Sequence, residues 1–154
     1  MPFLEGAARR LGLVALLVLL LHGIASAAPA RVTTPRSFDE VVTRLEAAVE
    51  AHGLVRIATA SASRAAAARG ITIPGNAVIL AFNNDFARRL LAVSVPAGIE
   101  APMRFYVTEE AAGTAITYPR PSELLAPYGI PELVALGHEL DTLFAAIATE
   151  AAGS

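Results

Sequence analysis

Beyond Ala30 the chain divides into segments whose apolar positions repeat either at helical spacing or in alternation. Phe38, Val41, Val42, Leu45, Ala48 and Val49 fall on one face of a predicted helix. Ser37-Phe38-Asp39-Glu40 offers a Ser-x-x-Glu capping box at its start, Glu40 and Arg44 are spaced to pair on the wet face, and Gly53 suits a left-handed stop. Leu54–Ala58 reads as a strand and the Ala-rich Ser63–Arg69 as a short helix closed by Gly70. After the turn residues Pro74-Gly75-Asn76, the run Ala77–Phe82 is apolar without alternation, the pattern of a central strand covered on both faces. Asn83-Asn84-Asp85 then supplies cap chemistry for a helix through Phe86, Leu90 and Leu91, which must end before Pro96 and Gly98.

Met103–Glu109 alternates, with Met103, Phe105 and Val107 on one face and Arg104, Tyr106 and Thr108 on the other. With Glu110-Ala111-Ala112-Gly113 as the loop, Thr114–Tyr118 returns as a hairpin partner that sets Val107 opposite Ile116 and Tyr106 opposite Thr117. Pro119 and Pro121 stop this strand, and Ser122 is placed to cap a short helix around Leu124 and Leu125. Pro131 opens the last helix. Its stripe of Leu133, Leu136, Leu140, Leu143, Phe144 and Ile147 suits packing on the sheet or zipping against a second copy, and Ala151–Ser154 are expected to fray. The pattern predicts an α+β fold, a mainly antiparallel sheet against helices, as a single domain over residues 37–150 with a short lead-in at 28–36.

The N-terminus has a different character. Arg9 and Arg10 precede the uncharged run Leu11–Leu21, and small residues follow at Ala25-Ser26-Ala27. An apolar core of about 7–15 residues marks a secretory signal peptide, and a membrane span needs about 20. Residues 1–27 therefore read as a signal peptide cleaved after Ala27, with a retained N-terminal anchor as the alternative because the uncharged stretch continues from Leu11 to Ala30. Export makes the expected location periplasmic or secreted, with no membrane association after cleavage.

Composition removes several classes of chemistry. The chain has no cysteine, so thiol catalysis, disulfides, a lipobox and thiolate metal sites are out. Its basic residues are all Arg, which excludes a Schiff-base lysine, and a formal net charge of −2 argues against nucleic acid. No Gly-x-Ser-x-Gly elbow or comparable context groups a Ser with His and Asp.

Few residues remain as site candidates. Asn83 follows a strand and opens a helix, where anions often bind, yet Asp85 would occupy the positive helix end, so capping is the simpler role. Arg104, Tyr106 and Thr117 share one hairpin face and form either a recognition surface or a plain amphipathic outer face. His52 sits where a helix dipole favours a cation, and His138 precedes Asp141 by one helical turn, giving only two of the ligands a metal needs. Glu109-Glu110 reads as a solvated charge pair at a turn.

Several segments in order resemble the family called domain of unknown function 302, found in bacteria and archaea. They are Ser37–Gly53, Val55-Arg56-Ile57, Val78-Ile79-Leu80-Ala81-Phe82-Asn83, Ala101-Pro102-Met103-Arg104 and Tyr118–Gly129, together spanning Arg31–Ile130. The resemblance implies a compact α+β domain, mainly antiparallel, that often pairs as a homodimer, and it implies no established activity. Relatives often carry an acidic residue and His where this chain has Thr59 and Ala60, and Gly-Asn-Pro where it has Asn83-Asn84-Asp85. No catalytic residue carries over, and Asn83 is a matched position without an assigned role.

The resulting expectation is an exported, noncatalytic module that binds a ligand or a protein through Asn83, Arg104, Tyr106 and Thr117, with no cofactor. A homodimer through the C-terminal helix or the sheet is the expected partner arrangement. The alternatives are a small-molecule enzyme with carboxylates, Tyr118 or His in a cleft, and a haem or metal protein using His138.

Overall fold

Alternate residues of the central strands go to opposite environments, and this parity organises the molecule. The computed structural model describes residues 28–153, so the leader expected at 1–27 lies outside it. Strands β1 (Ala30–Thr34), β2 (Val55–Ala60), β3 (Asn76–Phe82), β4 (Met103–Glu110) and β5 (Gly113–Tyr118) form one antiparallel sheet in the order β1-β5-β4-β3-β2. The helices are α1 (Phe38–Ala51), α2 (Ala62–Ala67), α3 (Asn84–Val93), α4 (Pro121–Leu125) and α5 (Pro131–Ala152), with 3-10 turns at Pro96–Glu100 and Ala126–Tyr128. This is the expected α+β class. The hairpin register also agrees, with Val107 opposite Ile116 and Tyr106 opposite Thr117, but the ladder continues to Glu110–Gly113 and tightens the turn to Ala111-Ala112.

One sheet face is covered. Ala77, Ile79 and Ala81 of β3, Met103, Phe105 and Val107 of β4, and Ile116 and Tyr118 of β5 join the apolar stripes of α1 and α5 in a single core. Phe144 of α5 stacks on Phe105 at 4.6 Å between centroids, and Tyr118 meets Phe105 edge-on at 5.3 Å. Leu133, Leu136, Leu140 and Ile147 are buried with Phe144, so the stripe of α5 packs on its own sheet. The opposite parity of β3 is only partly buried, which corrects the expectation of a strand covered on both faces. An unbroken apolar run does not report how many faces are covered.

Further corrections concern which polar group meets which. Ser37 occupies the N-cap of α1 without a side-chain bond, and Glu40 pairs with Arg36, so no capping box forms. Arg44 does not pair with Glu40. Its Nε and Nη2 donate to the carbonyls of Ala151 and Glu150, each at 2.8 Å, while Thr34 Oγ1 and Arg36 Nε donate to the Ala152 carbonyl at 2.9 and 3.3 Å. These donors satisfy the orphan carbonyls at the end of α5, and Ala151 and Ala152 are buried and helical where fraying was expected. Ser122 is not the cap of α4. Arg120 holds that position, and the Ser122 amide donates to Asp141 Oδ1 of α5 at 3.0 Å. The segment 28–36, read as a lead-in, supplies edge strand β1. Glu109 Oε2 accepts from the Gly75 amide at 2.7 Å and Glu110 pairs with Arg31, so neither acid at the hairpin tip is merely solvated.

Helices α4 and α5 touch closely at Gly137, where an added Cβ would come within 2.6 Å of Ser122 Cα and 3.0 Å of its amide nitrogen. Gly137→Ala gains ~1 kcal/mol of helix propensity but overpacks against backbone, which costs about 1–3 kcal/mol. A net loss is expected, read as a lower urea midpoint with unchanged m-value; a raised midpoint would show that α4 yields without cost.

Candidate functional site

The uncovered sheet face collects the residues expected to share a surface. Tyr106 lies between Val78 of β3 and Thr117 of β5, and Arg104 lies opposite Leu80. The face continues through Phe82, which is paired with Val55, to the exposed edge strand β2. Val55, Ile57 and Tyr106 are 57%, 53% and 42% exposed, and Val78, Leu80 and Phe82 are partly exposed. Val55, Ile57, Val78, Leu80 and Tyr106 stand outside the core, and Phe82 also borders the cleft beside α3. Among the described residues Arg104 is in no ion pair, whereas Arg31, Arg36, Arg64, Arg89 and Arg120 each have one at hydrogen-bonding distance. The surface is thus an open sheet face on which exposed aliphatic side chains lie beside a guanidinium outside any ion pair and a phenol.

Alternation made Arg104, Tyr106 and Thr117 legible as co-facial. Val55, Ile57, Val78, Leu80 and Phe82 were missed. The non-alternating run Ala77–Phe82 was the available signal, because apolar residues of both parities are what a sheet with a second apolar face requires.

Asn83 stands apart from this group and has a structural task. Its Oδ1 accepts from the amides of Asp85 and Phe86 at 2.8 and 3.1 Å, and its Nδ2 donates to the Gly53 carbonyl at 2.9 Å. The side chain caps α3 and ties it to the turn after α1. The apolar cleft beside it, lined by Phe82, Phe86, Leu90, Met103, Leu140 and Phe144, encloses about 40 Å³, far below the roughly 300 Å³ at which ligand pockets begin.

The histidines are separate. His52, the C-cap of α1, bonds through Nε2 to Glu150 Oε2 at 2.9 Å, and His138 is 68% exposed with Nδ1 3.6 Å from Asp141 Oδ2. No three His, Asp or Glu side chains converge among the described residues. Tyr118 belongs to the aromatic core, where burial pushes its phenol above the usual value, with Arg120 opposing and Asp141 adding to the rise. A phenol shifted upward stays protonated further above neutral pH. Glu139 is held below the usual carboxylate range by its two bonds to Arg89, at 2.9 and 2.6 Å, an exposed bidentate pair that links α3 to α5. Among the described residues no helix is long and apolar enough to cross a membrane.

The family model for the domain of unknown function DUF302 matches residues 30–149. The chain belongs to the DUF302 family. Its architecture is also that of the crystal structure of an uncharacterized conserved protein DUF302 from Bacillus stearothermophilus, with a TM-score of 0.72, 20% identity, and coverage of 80% of this chain and 97% of that one. At that identity the likeness speaks for the fold alone. No curated protein matches the sequence. The DUF302 match extends the resemblance through α5, so the helix that covers the core is part of the family's domain.

Two outcomes follow from this geometry. Asn83→Ala removes both amide caps and the Gly53 tie, and should destabilise the fold by about 1 kcal/mol in urea denaturation; an unchanged midpoint would show that water replaces the cap. For Tyr118, the folded state holds the phenolic proton more tightly than the unfolded state, whose ordinary value is 10.0. Its contribution is constant below that value and is lost as pH rises through it and beyond. Tyr118→Phe should therefore flatten the alkaline fall in stability measured between roughly pH 8 and 11, and an identical fall would remove Tyr118 as its source.

Proposed function

We propose that this DUF302 protein is an exported, noncatalytic binding module whose recognition surface is the open sheet face around Arg104, Tyr106 and Thr117. The observation that carries the reading is the unmatched apolar surface. Val55, Ile57, Val78, Leu80 and Phe82 leave a sheet face that excludes water poorly and that the domain's helices do not cover. An open sheet face favours a protein partner over a small ligand, since small molecules gain most of their contact from concavity. Arg104 and Tyr106 give such a contact orientation, being of the residue types that anchor interfaces.

A second copy of the chain is the simplest partner. The sheet has five strands. At about 4.8 Å spacing and roughly 20 Å of length, such a face covers about 480 Å², so two copies packed face to face would bury about 960 Å² in total, close to the roughly 1,000 Å² that separates biological interfaces from incidental contacts. The α5 stripe, already spent on the core, supports the sheet over the helix as the pairing element. Export rests on the apolar run after Arg9 and Arg10.

Arg104→Glu combined with Tyr106→Glu should convert the associated form to monomer in sedimentation at micromolar concentration, with the circular dichroism spectrum retained. Unchanged association, together with unchanged capture of partners from the native compartment, would remove the proposed face.

A further inference from the structure

The end of the sheet from which the chain emerges carries a second apolar surface, which adjoins the open face at Phe82. β3 ends at Phe82 and β4 begins at Met103, and their pairing of Ala81 with Met103 places the whole α3 and 3-10 connection at that end. β5 finishes there too, with Tyr118 opposite Ala30 at the start of β1. Within the connection Ile99 is 82% and Val95 74% exposed, the most exposed large apolar side chains among the described residues. Leu91 lies over Gly98, where an added Cβ would be 2.8 Å from its Cδ2, so α3 and the 3-10 turn form one continuous patch. Arg88 borders the same shallow groove as Leu91 and Gly98. Its only carboxylate neighbour among the described residues is Asp85 at 3.5 Å, with both side chains largely exposed, so the guanidinium is open to another anion.

The chain upstream leaves from this same end. Arg120, at the N-cap of α4, donates to the Ala28 carbonyl at 2.9 Å and so fixes where the polypeptide departs. The run Leu11–Leu21 lies only a short stretch before that point. At up to 3.6 Å per residue, the link from Leu21 to Ala28 reaches roughly 25 Å at full extension. While Leu11–Leu21 sits in a bilayer, the domain cannot drift from it, and the end that faces the lipid is the end bearing Val95, Ile99 and Arg88.

We infer that this end is a membrane-docking surface, in which Val95 and Ile99 enter the interfacial layer of the bilayer and Arg88 meets lipid phosphate. Exposed aliphatic side chains beside a cation held only by the loose, exposed contact with Asp85 match that layer, whose outer zone is anionic and whose inner zone is apolar. The docking applies to the chain for as long as its N-terminal apolar run is attached. It goes beyond the open-face reading and leaves that face free, because the strands then run toward the bilayer and the open face looks sideways.

Absence of cysteine makes the test direct. Full-length chains carrying Ile99→Cys or Ile73→Cys, each labelled with an environment-sensitive fluorophore, are inserted into vesicles of phosphatidylethanolamine and phosphatidylglycerol containing brominated acyl chains. Ile73 is an exposed aliphatic residue in the loop before β3, at the opposite end of the sheet, and serves as the reference. Quenching at position 99 should exceed that at position 73 by about twofold or more, and should not change when Arg104→Glu and Tyr106→Glu are added, which separates this inference from the open-face reading. Equal quenching at the two positions would overturn it. So would a label at position 99 that is shielded from aqueous quencher in proportion to protein concentration yet untouched by brominated lipid, since a second copy would then cover the patch.

Discussion

Stacking of Phe144 on Phe105 lays α5 across the central strand, and the other long elements settle around that contact. Aromatic rings bring the largest apolar areas in this core and prefer offset or edge geometries, so Phe105, Tyr118 and Phe144 fix both the height and the position of the helix over the sheet. α1 fills the remaining width of the same face through Val41, Val42, Leu45 and Val49. With both long helices on one side, the end of α5 comes to lie against the start of α1 and β1. There Arg44, Arg36 and Thr34 replace the water that would otherwise bond its last carbonyls.

That arrangement determines what is left over. A sheet whose helices all take one face must either carry polar residues on the other or expose apolar ones. Here the second face divides. Arg31, Thr33 and Thr117 make the β1–β5 side polar, while Val55, Val78, Leu80 and Phe82 make the β2–β3 side aliphatic, with Arg104 and Tyr106 at the boundary. The aliphatic half adds nothing to the domain's own core, so its cost in exposed surface is offset only by what it meets. Edge strand β2 restrains unwanted pairing on that side. Its register is broken by a bulge between Arg56 and Ala58, and Arg56 and Thr59 turn inward toward Glu46 of α1.

Much of this was legible where the signal is local. The parity of Met103–Glu110 gave the hairpin register and the co-facial set Arg104, Tyr106 and Thr117, because alternation and turn length are properties of a few adjacent residues. Asn83 was readable as a cap for the same reason. Contacts between distant segments were not readable. Asp141 serving the Ser122 amide, Arg44 reaching the end of α5, and Glu109 closing on Gly75 each join residues that nothing in the intervening sequence relates. β1 escaped notice since Arg31-Val32-Thr33-Thr34 is too short to declare itself without its partner β5, and the second face of β3 since burial is decided by what packs above it.

The two surfaces differ in kind, and the difference follows from strand direction. The open face runs along the strands and belongs to residues whose backbones are locked in the sheet ladder. The end surface lies across the strand ends on α3 and a 3-10 turn, where side chains project from a connection rather than from a ladder. A face built on a sheet ladder suits a partner matched to its shape, since its backbone adapts little. Projecting Val95 and Ile99 suit a soft, laterally disordered phase such as the bilayer interface, which requires depth of insertion but no shape complementarity. One surface lies along the strands and the other across their ends, and the two adjoin at Phe82. A single small domain held at its chain-exit end by lipid would thus turn its open sheet face sideways, with the Arg104 end of β4 near the bilayer and the hairpin tip, where Glu109 holds Gly75, farthest from it.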